Sequence, residues 1–235
     1  MNSVAPKRAM VIVAHPDDPE FFCGGLIALW AKSGTEITYL ILTDGRKGTD
    51  DLTIPPAHLI AMRQQEQQAA ADYLGVQQVI YFDEPDGELK PSLAIEKQVV
   101  AEIRRHQPEA VISFDPTRYY LGDFYLNHPD HRAAGEITIN AIFPAVGSPL
   151  YYPPLVLEGL NPHTLHELYL WGAEIPNLWV DVTEVDEIKT AALHYHASQI
   201  NGLVMLGQQL RQYQKTVNSA GQEILREGYQ RIRFS

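Results

Sequence analysis

Two short segments of this 235-residue chain concentrate side chains that can bind a metal ion. The first has the sequence HPDD at residues 15–18, directly after an apolar run. Imidazole and carboxylate groups are competent zinc ligands, and His15 and Asp18 are close enough in a tight turn to hold one ion. Asp17 would lie beside that ion, where a carboxylate can accept a proton from water. The alternative is a simple capping turn, because Asp and Pro are common before helices.

The second segment has the sequence NHPDHR at residues 127–132. Pro129 suits the first turn of a helix, so His128 and His131 are expected one turn apart on one face. One imidazole can be a third metal ligand while the other faces the substrate, and Asp130 can orient a histidine. The alternative is the solvated start of a helix, in which two histidines need no special explanation.

Together the two segments indicate a catalytic rather than a structural metal site. Two histidines, one aspartate and an open fourth position are typical of catalytic zinc, whereas structural zinc sites favour cysteine. Cys23 is the only cysteine of the chain, so no internal disulfide is expected either. We expect about one zinc ion per chain, although other divalent transition metals also suit such a site.

The hydropathy pattern predicts elements that bring the two segments together. Apolar runs alternate with helical patterns in the first half, which predicts a parallel sheet with right-handed crossovers. The predicted strands cover residues 9–14, 37–42, 79–82 and 110–114. The predicted helices cover residues 24–33, 57–74, 91–106 and 129–142. Ligands of such sheets bind beyond the carboxyl ends of the strands, and both segments fall there.

The second half of the chain has a different pattern. Residues 144–162 are rich in proline and are predicted to run as a surface loop. Two further strands are expected, followed by a helix with Thr183 as its N-cap. These elements cover residues 165–171, 178–182 and 183–199. The last ten residues are basic and show no clear pattern. We expect one α/β domain over residues 1–235.

Composition limits the partners and the location. The net charge of −11 at pH 7 repels phosphate backbones, and there is no basic run interleaved with aromatic residues, so nucleic acid is not an expected partner. No apolar run approaches the ~18 residues of a membrane helix, and the N-terminal segment lacks a secretory cleavage site. We therefore expect a cytoplasmic protein with a small-molecule substrate and no membrane partner; a homo-oligomer is compatible with the sequence.

Both segments resemble signatures of the PIG-L / LmbE-like family of zinc-dependent N-deacetylases. The matching motifs are AHPDD at 14–18, GG at 24–25, HPDHR at 128–132, TDG at 43–45, the segments 63–66 and 74–76, DG at 86–87 and HASQ at 196–199. The resemblance covers nearly the whole chain and implies a Rossmann-like, mostly parallel sheet flanked by helices, with additional strands and a helix in the C-terminal half. The chain departs from many members at Arg46 and Lys47, where acidic or small residues are usual.

The resemblance also implies roles for individual residues. His15, Asp18 and His131 would bind zinc, and Asp17 would be the general base. His128 would stabilise the oxyanion and help to protonate the leaving amine.

Further residues would support this site or contact the substrate. Asp130 would support a histidine, and Arg63, Asp86 and His196 would contact polar groups of the substrate. The alternative interpretations are that Arg63 forms a salt bridge on a helix surface and that Asp86 is an ordinary turn residue.

The reaction that this set of residues implies is hydrolysis of an amide. A zinc-bound water with a carboxylate base suits attack on a carbonyl carbon, while His128 meets the developing negative charge. The resemblance implies removal of an N-acetyl group from an N-acetylglucosamine-type amino sugar or a glucosamine conjugate. The alternatives are a zinc hydrolase of another N-acyl amide or an ester, and a non-catalytic sugar-binding relative.

Overall fold

The structure is a computed structural model that describes residues 5–234. Residues 1–4, which begin the segment assessed above for a secretory signal, and residue 235 lie outside the described residues. No helix within residues 5–234 combines the length and the hydropathy that a membrane-spanning segment requires.

The described residues form one large sheet, a small hairpin and seven α-helices. The strands are β1 (Arg8–Val13), β2 (Glu36–Thr43), β3 (Gln78–Glu84), β4 (Ala110–Phe114), β5 (Tyr120–Leu121), β6 (Tyr125–Leu126), β7 (Glu167–Trp171), β8 (Leu178–Asp181), β9 (Lys215–Val217) and β10 (Glu223–Arg233). The helices are α1 (Asp18–Lys32), α2 (Pro56–Leu74), α3 (Leu93–His106), α4 (Pro129–Asn140), α5 (Pro153–Leu157), α6 (Asp186–Leu193) and α7 (Ile200–Gln214).

The predicted α/β fold with a mostly parallel sheet is confirmed. The large sheet has the order β3-β2-β1-β4-β7-β10-β8, and the first five of these strands are parallel. The chain runs outward from β1 to β3 and then returns to β4 on the other side of β1, so the strand order reverses between β1 and β4. α1 packs against α2, and α3 packs against α4, as expected if right-handed crossovers place the first pair on one face of the sheet and the second pair on the other. The crevice for a ligand therefore opens at the carboxyl ends of β1 and β4.

The strands of the centre are apolar on both faces because helices cover both. In β1 every residue after Arg8 is buried, and all five residues of β4 are buried. α6 packs against α1 and α2, which adds to the cover of their face. Gly75, with a φ of 79°, ends α2 in the left-handed conformation that glycine adopts without a steric penalty.

The second half differs from the expectation in three places. The helix predicted over 183–199 is divided into a 3-10 turn at Thr183–Val185, the helix α6 and a further turn, and Thr183 is not an N-cap. The basic C-terminal residues form β10, which pairs antiparallel with both β7 and β8. The Pro-rich segment also contains regular structure, namely the end of a π-helix (Ala141–Val146) and α5.

Two glycines allow the close approaches that position the helices beside the crevice. A Cβ at Gly135 of α4 would collide with the carbonyl oxygen of Phe114 at the end of β4. A Cβ at Gly25 of α1 would lie 2.8 Å from a carboxylate oxygen of the buried Glu227, which accepts hydrogen bonds from the Gly25 and Leu26 amides at 2.9 Å each. This carboxylate caps the second half of α1, which is interrupted at Cys23 (φ −133°).

Candidate active site

The two predicted metal-binding segments lie together at the reversal of strand order. Residues 15–18 follow β1 and begin α1, and residues 127–132 follow β4 after the β5–β6 hairpin and begin α4. Asp86, from the turn after β3, reaches the same place. The carboxyl ends of three strands thus contribute to one cluster of buried polar side chains.

The Asp18 carboxylate lies between the imidazoles of His15 and His131. Its Oδ2 is 3.5 Å from Nδ1 of His15, and its Oδ1 is 3.1 Å from Nε2 of His131. Burial opposes ionisation, but the neighbouring histidines, His131 first, hold the pKa of Asp18 below its usual range. The predicted ligand set of His15, Asp18 and His131 is therefore brought together in space.

The ring of His131 is fixed from the side opposite Asp18. Its Nδ1 lies 3.1 Å from Oδ1 of Asn127 and 3.1 Å from the hydroxyl of Tyr125. The ring of Phe114 stacks on it, with 4.3 Å between centroids and 5° between planes. A proton on Nδ1 that is donated to Asn127 or Tyr125 leaves Nε2 free to bind a metal.

His15 is surrounded by carboxylates. Its Nε2 lies 3.1 Å from Asp86 and 3.3 Å from Asp130, and its Nδ1 faces Asp18. Burial lowers the pKa of His15, but hydrogen bonds to Asp130, Asp18 and Asp86 outweigh this effect and raise it well above its ordinary value. The position of Asp130 gives it the contact with a histidine that its predicted supporting role requires.

Asp17 adopts a backbone conformation that is rare for a residue with a Cβ. Its φ is 92°, in the left-handed region. Its carboxylate lies 3.1 Å from the guanidinium of Arg63, and its amide donates to Gln67 at 2.8 Å. Burial raises the pKa of Asp17, while the charge of Arg63 opposes the rise. A buried carboxylate with a raised pKa is suited to accept a proton.

His128 is the N-cap of α4 and is half-buried at the cluster. Its Nδ1 accepts a hydrogen bond from the Asp130 amide at 3.2 Å, so its proton is on Nε2. Burial, reinforced by the charges of His15 and His131, lowers the pKa of His128. The neutral imidazole then presents an N–H donor at Nε2.

Imidazole and carboxylate groups that could hold a divalent cation cluster around His15. Ring nitrogens of His15, His128 and His131 lie within 4.8 Å of one another, and so do a nitrogen of His15 and oxygens of Asp86 and Asp130. Within the part of the chain that the structure describes, both of these groups include His15, and neither contains the Asp18 carboxylate of the predicted ligand set. Buried carboxylates need a cation for compensation, and a bound metal would balance those that face the imidazoles.

The three residues predicted to contact the substrate are buried and have partners inside the protein. His196 does not line the crevice: it is 1% exposed and lies behind α1, with its Nε2 3.1 Å from the Glu20 carboxylate. Arg63 is 4% exposed and bonded to Asp17, and Asp86 is 6% exposed and bonded to His15. These contacts let each side chain support another site residue. The contact of Arg63 and Asp86 with the substrate stays a prediction.

Five residues of the site were not singled out from the sequence. They are Glu20, Gln67, Phe114, Tyr125 and Asn127. Only Glu20 carried a usable signal, since a carboxylate followed by two phenylalanines in an apolar helix is expected to have a buried partner.

Comparisons with known proteins identify the family of this chain. The family model described as "PIG-L: GlcNAc-PI de-N-acetylase" matches residues 10–142. The chain is 35% identical over 193 residues to diacetylchitobiose deacetylase of Thermococcus kodakarensis, covering 82% of this chain and 70% of that protein. It is 28% identical to 1D-myo-inositol 2-acetamido-2-deoxy-alpha-D-glucopyranoside deacetylase of Corynebacterium urealyticum, covering 77% of this chain and 62% of that protein.

Solved structures show the same architecture. N,N'-diacetylchitobiose deacetylase from Pyrococcus horikoshii, in complex with its inhibitor MPG, matches with a TM-score of 0.86 and 27% identity, covering 97% of this chain and 84% of that chain. GalB, the 4-carboxy-2-hydroxymuconate hydratase from Pseudomonas putida KT2440, matches with a TM-score of 0.72 and 24% identity over 97% of both chains, which shows a shared fold alone. Because the family model spans more than half of the chain and includes both predicted metal-binding segments, the chain belongs to the PIG-L family.

Proposed function

We propose that this protein is a zinc-dependent N-deacetylase of N-acetylglucosamine-type amino sugars. The observation that carries the proposal is the Asp18 carboxylate between His15 and His131, with Asp17 beside it, at the carboxyl end of β1. The named relatives are deacetylases of diacetylchitobiose and of a glucosamine-inositol conjugate, which supports the amino-sugar class.

We propose His15, Asp18 and His131 as the residues that hold the metal. When bound, zinc supplies Lewis acidity, which polarises an acyl oxygen and lowers the pKa of water. Asn127 and Tyr125 hold the tautomer of His131, and Asp86 and Asp130 hold the ring of His15. The same donor set also accepts other divalent transition metals.

Asp17 is the proposed general base. The ion pair with Arg63 and the hydrogen bond from the Asp17 amide to Gln67 hold the Asp17 carboxylate beside the proposed metal ligands. Burial raises its affinity for a proton, so Asp17 can take the proton of the attacking water and return it to the leaving amine.

His128 is the proposed donor to the developing oxyanion. Its Nδ1 is occupied by the Asp130 amide, which leaves the Nε2 proton for the substrate. Because α4 fixes the ring at its N-cap, little reorganisation is needed when negative charge develops on the acyl oxygen.

The test is an assay of the purified protein on N,N'-diacetylchitobiose and N-acetylglucosamine. We expect equimolar acetate and free amine, loss of both after chelation, and recovery with about one equivalent of zinc per chain. The Asp17→Asn variant is the control for contaminating deacetylases. Product release at the full rate in the presence of chelator would contradict the proposal. Activity only on other N-acyl amides or on esters would also contradict it.

A further inference from the structure

Two residues of α2 form hydrogen bonds with the peptide group between Pro16 and Asp17, one to its carbonyl and one to its amide. The carbonyl of Pro16 accepts a hydrogen bond from Arg63 at 2.7 Å, and the amide of Asp17 donates to Oε1 of Gln67 at 2.8 Å. Arg63 and Gln67 are four residues apart, so they lie one turn apart on the same face of the helix. They hold Asp17 in the left-handed conformation, which is sterically unfavourable for a residue with a Cβ.

The Gln67 amide has its orientation set by Glu20. Nε2 of Gln67 lies 3.1 and 3.0 Å from the two carboxylate oxygens of Glu20, which is fully buried. A carboxylate only accepts hydrogen bonds, so it requires the NH₂ end of Gln67 and directs the carbonyl end toward the Asp17 amide.

Glu20 has a second partner from a distant part of the chain. Nε2 of His196 lies 3.1 Å from Oε2 of Glu20. The turn that carries His196 is anchored to α2 by Ser198, whose amide and hydroxyl donate to Glu66 at 2.8 and 2.6 Å. The HASQ segment thus connects the C-terminal half to the base of the crevice.

We infer that His196, Glu20 and Gln67 form a positioning relay for Asp17, and this inference rests on the proposed function of Asp17 as the general base. The relay runs from the His196 imidazole through the Glu20 carboxylate and the Gln67 amide to the Asp17 amide. Its three members do not act on the substrate. They fix the direction in which the Asp17 carboxylate points.

The relay has a donor and acceptor order that an exchange of side chains can break and restore. Gln67→Glu replaces the NH₂ donor by a second carboxyl group, which faces Glu20 with no hydrogen between them as long as both groups are ionised. The double variant Glu20→Gln/Gln67→Glu restores the pairing, because the new amide donates to the new carboxylate and accepts from His196. Gln65→Glu makes the same chemical change at an exposed position of α2 and is the matched control.

Zinc content, kcat and KM are measured for these variants with N,N'-diacetylchitobiose. We expect Gln67→Glu to retain zinc and KM but to lose roughly 10- to 100-fold in kcat, because a small displacement of a reacting group has that effect. Glu20→Gln should show an intermediate loss, and the double variant should recover most of the kcat. Gln65→Glu should behave like the wild type.

Several results would overturn the relay. A wild-type kcat in Gln67→Glu or in Glu20→Gln would contradict it. So would a correctly folded double variant that is no faster than Gln67→Glu. A loss of zinc in parallel with the loss of rate would also contradict it. Hydrogen exchange at the Asp17 amide separates this test from that of the function, because it needs no substrate. Slow exchange in the wild type and double variant with fast exchange in Gln67→Glu supports the relay even if no amino sugar is hydrolysed, whereas equal exchange rates contradict it.

Discussion

The guanidinium of Arg63 lies 3.1 Å from the Asp17 carboxylate, and both side chains are buried. Arg63 also donates to the carbonyls of Pro16 at 2.7 Å and Gly45 at 2.8 Å. These contacts join the turn before α1 to the loop after β2. Because Arg63 contacts the proposed base, its replacement is expected to change kcat rather than KM.

Replacement of Arg63 by lysine should lower kcat with little change in KM. An ammonium group cannot bond to Asp17, Pro16 and Gly45 in the planar arrangement of a guanidinium. We expect a loss of about 10-fold or more in kcat, measured by steady-state kinetics with zinc bound. Arg105→Lys, at an exposed position of α3, is the control. A raised KM with unchanged kcat would instead identify Arg63 as a substrate contact.

The neighbouring carboxylates Asp17 and Asp18 should separate into two phenotypes. Asp18→Ala removes a proposed ligand and should lose zinc, as measured by elemental analysis. Asp17→Asn should keep zinc and the fold but lose roughly 10²-fold or more in hydrolysis. An empty site in Asp17→Asn would reverse the two assignments.

His128 and His131 should likewise differ, although both belong to the start of α4. His128→Ala should retain zinc and lower kcat by about 10²-fold, because it removes one donor to the oxyanion. His131→Ala should weaken zinc retention. Normal turnover by a zinc-loaded His128→Ala protein would show that this histidine has no role in the reaction.

Asn127 should affect the metal without touching the substrate. Its Oδ1 lies 3.1 Å from Nδ1 of His131, opposite the nitrogen that faces Asp18. Asn127→Ala should reduce zinc affinity by about 10- to 100-fold, as removal of such supporting contacts does. Competition with a fluorescent chelator measures this effect, and an unchanged affinity would assign the orientation of His131 to Tyr125 and Phe114 alone.

The contribution of His196 to stability should depend on pH. Burial lowers the pKa of His196, but Glu20, followed by Asp17 and Glu66, raises it above its ordinary value. Because the folded-state pKa is the higher one, the stabilisation is complete below the unfolded pKa of about 6.5 and is lost as the pH rises through the folded pKa. The difference in unfolding free energy between wild type and His196→Gln should therefore shrink as the pH rises above about 6.5. Denaturant titrations in the same metal state measure it, and a difference independent of pH contradicts the assignment.

The sequence determined the position of the site because its signals are local. Apolar runs before His15 and at 110–114 predict parallel strands, and the carboxyl ends of parallel strands meet at one edge. His131 follows Pro129 at the start of a helix, so its face was predictable as well. The motifs identified the family for the same reason, since each lies within a few consecutive residues.

Only the tertiary structure decided which partners the polar side chains near the motifs have. Arg63, Asp86 and His196 are polar residues near the motifs, but their partners Asp17, His15 and Glu20 lie far away in the chain. β10 was missed because its pattern is half-buried and basic, and it forms only when β7 and β8 pair with it. A hydrogen bond or a strand pairing between distant residues depends on how the intervening elements pack, so a local sequence pattern cannot predict it.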